Sequence, residues 1–269
     1  DNCSADTFGG AVHTATGGVL NLSDVISSGN SADDGGHLYF EASTTGLVVN
    51  CDFVDADTNG IGTGGFVRVE AASPQLIECS FTDTDSGSDA VSGGAFYISS
   101  GGTPTLKGVT ITGCSTSGDG GAVYLEGGAN PNFEPQTGPS GTIRNTLSRN
   151  TTIGRGGHMF FAQDAQGSFD SVDMDHGTAG PSGGSIHISS DATPTFADCQ
   201  IGDSSATDGG VLSIVDGQPT FTDGCHLYSG TVTQDGGVVW MTGEDAILTA
   251  NSVEMYDGSA IRGGIVAAF

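Results

Sequence analysis

Glu41, Glu70 and Glu126 occupy the same place in three copies of one short recurring phrase. Glycoside hydrolysis needs two carboxylates at a defined separation, so these are the weak catalytic candidates of the chain. Glu41 and Glu70 fall in successive copies. On adjacent strands they would stand near 5 Å apart, a spacing compatible with a retaining mechanism. Two residues earlier in the phrase runs a row of rings with one guanidinium: Tyr39, Arg68, Tyr97, Tyr124, Phe160, His187 and, farther on, Trp240. Rings repeated at strand spacing would make a glycan-binding strip or a protein interface. They are also what strand propensity collects unaided, since aromatic residues favour strands. Six His residues form no triad or ligand motif.

Two acidic turns carry a second chemistry. Asp55-Ala-Asp57-Thr-Asn59-Gly60 matches the opening of a calcium-binding loop, and Asp83, Asp85 and Asp89 form a looser set at the following turn. Alternating carboxylates suit Ca²⁺, which takes six to eight oxygens. The bidentate Glu expected at the twelfth position is replaced by Phe66, so a solvated acidic turn remains the other reading. Three Asn-x-Ser/Thr sequons, at Asn2, Asn21 and Asn150, are candidate glycosylation sites if the chain follows a eukaryotic secretory route. Cys51 and Cys79 lie in adjacent units, as do Cys199 and Cys225. Each pair either bridges neighbouring units or stays as buried thiols acting as small hydrophobes. Cys225 stands one residue off the column of the others, and Gly224 beside it suggests a small bulge.

All these residues are positioned by one phrase, Gly-Gly followed by alternating apolar residues, which begins at Gly9, Gly35, Gly64, Gly93, Gly120, Gly156, Gly183, Gly209, Gly236 and Gly263. The intervals are 26, 29, 29, 27, 36, 27, 26, 27 and 27 residues, so this is a repeat protein. Counting from the second Gly, position +2 is apolar in every copy, and +4 in all but the first, where Thr14 stands. That period of two places +2 and +4 in a core and predicts that +1, +3 and +5 face out. Ser213, between Leu212 and Ile214, is thus expected outside. A second strand per unit reads Pro74-Gln-Leu76-Ile-Glu-Cys79-Ser-Phe81 and its counterparts. Two strands per unit without helical periodicity predict an all-β parallel β-helix, a solenoid of about ten coils of 26–29 residues in a single domain over 1–269. The long interval carries an insertion loop over 129–141.

Ile111-Thr-Gly-Cys114 followed by Gly120-Gly121-Ala122-Val123, and Leu147-Ser-Arg-Asn150 followed by Gly156-Gly157, resemble the F-x-x-N and G-G-A-I elements of the polymorphic outer membrane protein repeat. The resemblance implies a right-handed β-helix of the pectate-lyase-like class and a secreted or surface location. Polysaccharide lyases of that fold work with basic residues and bound calcium on uronates. Here the candidate face offers one Arg, and a net charge of −26 would repel a polyuronate.

The same charge argues against nucleic acid and anionic lipid as partners, and no apolar run approaches a membrane span. It favours divalent cations or basic partners. The repeat begins and stops within a unit, which suggests either a slice of a longer solenoid or rods stacking on themselves end to end. The expected function is a non-enzymatic structural or adhesive solenoid at the cell surface or outside the cell, such as a building block of a filament or appendage. The rival is a carbohydrate-active enzyme or glycan-binding module on the aromatic and Glu face, or a surface that docks other surface proteins.

Overall fold

A computed structural model describes residues 2–58, 62–83, 90–139 and 141–269. The chain winds as a parallel β-solenoid of about nine turns, and the described residues contain no helix. Among the described residues, three long sheets run along the rod. The first has ten strands, from Val12–Thr14 and Leu38–Phe40 to Val239–Thr242 and Val266–Ala268; the second and third have nine each. Register follows the repeat: Leu38 pairs with Val67, Phe96 with Val123, Met159 with Ile186 and Leu212 with Val239.

The middle strand of each unit is two strands, not one. Ser73–Ile77 belongs to the second sheet and Ser80–Thr82 to the third. Between them Glu78 takes φ 51, and Asp24, Asn50, Ser171, Asp198, Asp223 and Ser252 do the same in their coils. The left-handed conformation turns the chain through a corner, and Asp, Asn and Ser tolerate it better than bulky residues. Each coil is therefore three-sided where alternation alone suggested two strands.

The Gly-Gly corner rests on two separate constraints. The first Gly has φ between 56 and 72 in all ten copies. The second needs its missing side chain for a different reason: a Cβ on Gly157 would lie 2.1 Å from the carbonyl oxygen of Gly184, one coil on, and a Cβ on Gly184 would lie 2.1 Å from that of Gly210. Coil backbones meet here with no room for a methyl group.

Inside, positions +2 and +4 join rings from the other two sheets. Phe133, Phe169, Phe196 and Phe221 form one stack with centroids 5.0, 5.0 and 4.6 Å apart, and Phe53 stacks on Phe81 at 5.0 Å. Position +1 is also interior, contrary to simple alternation: His37, Phe66 and His158 are wholly buried. The Gly corner precedes them, so they sit where the third sheet meets the first.

Within the span 129–141, Asn132–Glu134 continues the second sheet. The extra residues form an antiparallel hairpin, Gln136–Gly138 with Gly141–Ile143. Arg144 pins its base to Asp173 and Asp198, at 2.8 and 2.6 Å. Among the described residues no helix is long and apolar enough to cross a membrane.

Candidate functional site

In-register stacking brings the +3 residues together, but as a ladder turned on edge. Tyr97, Tyr124, Phe160 and His187 stack at 5.0, 5.1 and 5.0 Å with planes 8°, 11° and 2° apart. The Arg68 guanidinium lies between Tyr39 and Tyr97, 5.9 and 4.7 Å from their centroids. Each ring face is covered by the next coil, so Tyr39, Tyr97, Phe160 and His187 are buried; Tyr124, Arg68 and Trp240 are half-buried. Sugar stacking requires an open ring face, which the interior of this ladder does not present. The expectation that +3 faces solvent fails where the residue just before a Gly pair folds back over the column. Arg155 covers Phe160 at 4.8 Å while pairing with Asp119 at 2.9 Å, and Ser182 Oγ lies 3.0 Å from His187 Nδ1. Ser213 is likewise fully buried.

The three glutamates are acceptors for the coil before them. Glu41 accepts from the Thr16 amide and hydroxyl at 2.9 and 2.8 Å and lies 2.8 Å from His13 Nε2. These Thr16 bonds, with His13, hold its carboxyl below the usual range, the wrong direction for a proton donor in glycoside hydrolysis. Tyr39 donates to Glu70 at 2.6 Å, and Tyr97 donates to Glu126. Burial first, and the bond to Glu70 second, push the Tyr39 hydroxyl up to about 12. Tyr97 rises further for the same reasons, so both remain protonated donors. Glu41 and Glu70 also line a shallow pocket of about 310 Å³ with Phe8, Thr16, Tyr39 and Ala42.

Of the calcium candidates, Asn59, Asp85 and Asp89 lie outside the described residues. Asp55 is a left-handed corner residue at φ 49, Asp57 is exposed and Asp83 is buried. Among the described residues no three His, Cys, Asp or Glu side chains gather to hold a metal ion. Asn2 and Asn21 are exposed. Asn150 is fully buried: its Oδ1 accepts from the Cys114 amide at 2.9 Å, and its Nδ2 donates to Ile111 O at 3.2 Å and reaches His158 Nδ1 at 3.0 Å. A glycan on that nitrogen would require this network to open.

That network has a twin which the sequence reading passed over. Asn30 bonds the Cys3 amide at 2.8 Å and His37 Nδ1 at 2.9 Å. The signal was present: in both units an Asn, Asn30 or Asn150, precedes a Gly pair that is followed at once by His. Burial pushes both imidazoles down to about 4. Since the folded state holds them neutral, this stability is complete above the unfolded value near 6.5 and is lost as pH falls from there to about 4. We expect roughly 3 kcal/mol of acid-sensitive stability from each. Urea unfolding at pH 7 and pH 4.5 checks it. The double variant His37→Gln, His158→Gln should lose much less stability than the parent over that interval; parallel losses would remove the assignment.

The extra Gly224 is absorbed at φ 81, and Gln200 pairs with His226, so Cys225 returns to the column beside Cys199. The Cys199 amide donates to Cys225 Sγ at 3.3 Å, and hydrogen bonding from the Cys199 thiol pushes the Cys225 thiol down. All six cysteines are free thiols in this structure. Cys79 instead points its thiol at Val48 O and Ile77 O, both at 3.4 Å. Exposure to oxidised glutathione should link Cys199 to Cys225 ahead of Cys51 to Cys79. Mass spectrometry of alkylated peptides reads the order, and equal or reversed linkage would contradict it.

No protein-family model matches the chain, and neither a curated protein nor a solved structure is similar enough to place it in a family.

Proposed function

We propose that this solenoid is a non-enzymatic structural or adhesive rod of a surface-exposed or extracellular protein. One observation carries the reading: Glu41, Glu70 and Glu126 are spent on neighbouring coils, accepting from Thr16, Tyr39 and Tyr97. A right-handed winding of the pectate-lyase-like class, and kinship to the polymorphic outer membrane protein repeat, belong to the same proposal. The element Leu147–Asn150 supports it, because Asn150 caps the neighbouring coil from inside. Ca²⁺ at the acidic turns and glycans at Asn2 or Asn21 are compatible additions.

End-to-end pairing with itself or with other solenoid segments is part of the same proposal.

Incubation with neutral and acidic polysaccharides tests the function. We expect neither reducing ends nor unsaturated uronates to appear. Product formation that Glu41→Gln, Glu70→Gln or Glu126→Gln abolishes would overturn the proposal in favour of the carbohydrate-active reading.

A further inference from the structure

Three of the six basic residues in the chain repeat one arrangement: a guanidinium over an outer-face ring, held by an Asp just before a Gly pair. Arg68 lies over Tyr97 and meets Asp34 at 3.3 Å. Arg155 lies over Phe160 and meets Asp119 at 2.9 Å. Arg262 lies 5.2 Å from the Phe269 centroid, and its Nε donates to Asp235 at 2.7 Å. The pocket at Glu41 gathers rings and carboxylates of the same kinds, with Arg68 5.9 Å from the Tyr39 centroid but outside the lining. Phe8 packs on Tyr39 at 4.6 Å and on His13 at 5.6 Å, and His13 meets Tyr39 edge-on at 5.3 Å. Glu41 and Glu70 complete the lining, and no Lys or Arg contributes to it.

We propose that this pocket receives an arginine side chain presented by a basic segment of a partner protein, with the guanidinium against the exposed ring of Phe8 and its N–H groups on Glu41 and Glu70. A planar guanidinium stacks on rings and donates to carboxylates in a fixed fork, which a compact ammonium does not reproduce. The carboxylates disfavour an anionic ligand, and the overall charge of −26 draws a basic segment toward the rod. Glu41 keeps one lone pair for a newcomer, on Oε1, since both Thr16 bonds are on Oε2 and the His13 contact takes the other site of Oε1. The assignment does not depend on the scaffold reading of the rod.

Acetyl-tetraarginine amide is the probe and acetyl-tetracitrulline amide its neutral counterpart, titrated onto the full chain by calorimetry or NMR. Arginine should bind and citrulline should not. Phe8→Ala, which removes a partly exposed ring and no charge, should weaken binding about fivefold or more. Glu41→Gln should weaken it at least as much, while Glu254→Gln, equal in charge and on another face, should change it less than about twofold. Melting curves confirm that the variants fold. Equal binding of citrulline, indifference to Phe8→Ala, or equal losses in Glu41→Gln and Glu254→Gln would each overturn the proposal, the last by showing attraction to diffuse acidity alone.

Discussion

Gly184→Ala should prevent folding, while the same change at Gly138 in the hairpin should be nearly silent. Gly184 is the second Gly of the phrase, and neither residue has a positive φ. A Cβ on Gly184 would lie 2.1 Å from Gly210 O and 2.6 Å from Ser205 N, both backbone atoms of the next coil. The coils could accept it only by separating, which breaks ladder pairing on every side. We expect a loss of at least about 3 kcal/mol, beyond ordinary overpacking because the obstacle is backbone. At Gly138 the nearest atom is Ile143 Cδ1 at 3.5 Å, an ordinary contact, so Ala should change stability by less than about 1 kcal/mol. Urea unfolding of both variants reads the contrast. Equal tolerance would mean that the coils do not approach as closely as described.

Leu212→Asp should be as damaging, by a different mechanism. Leu212 is fully buried between Ile186 and Val239 on the neighbouring coils. An unpaired carboxylate there costs at least about 3 kcal/mol, whether it stays ionised or takes up a proton to escape. The informative comparison is its neighbour. Ser213 is also fully buried, and its hydroxyl finds no hydrogen-bond partner. Ser213→Ala should therefore be neutral or stabilising by up to about 1 kcal/mol, and Ser213→Asp should be damaging. Circular dichroism melts separate the three. A folded Leu212→Asp protein would contradict the register of the first sheet.

The solenoid was legible because two signals repeat in every unit: the Gly pair and the apolar alternation after it. Reading which residues face water was harder. Period two assigns Tyr97, Phe160 and Ser213 to the outside correctly, but outside a sheet is not the same as exposed. Whether Arg155 or Ser182 folds back over them depends on the turn before the Gly pair, and nothing in a strand pattern describes that. The corner at Glu78 was hidden for a related reason: one left-handed residue bends the chain without interrupting the alternation that suggests a single strand. The glutamates were found by type and spacing, whereas their partners Thr16, Tyr39 and Tyr97 come from a neighbouring coil, or from a turn of it, and emerge only once register is known.

The outer-face carboxylates tie neighbouring coils together, and Tyr97 with Glu126 is the clearest instance. A double-mutant cycle of Tyr97→Phe and Glu126→Gln, read by urea unfolding, measures it directly. A hydroxyl donating to an ionised carboxylate on a partly buried face should give a coupling of roughly 1 kcal/mol or more. Coupling indistinguishable from zero would contradict the ladder, release Glu126 from its structural assignment and reopen the carbohydrate-active reading.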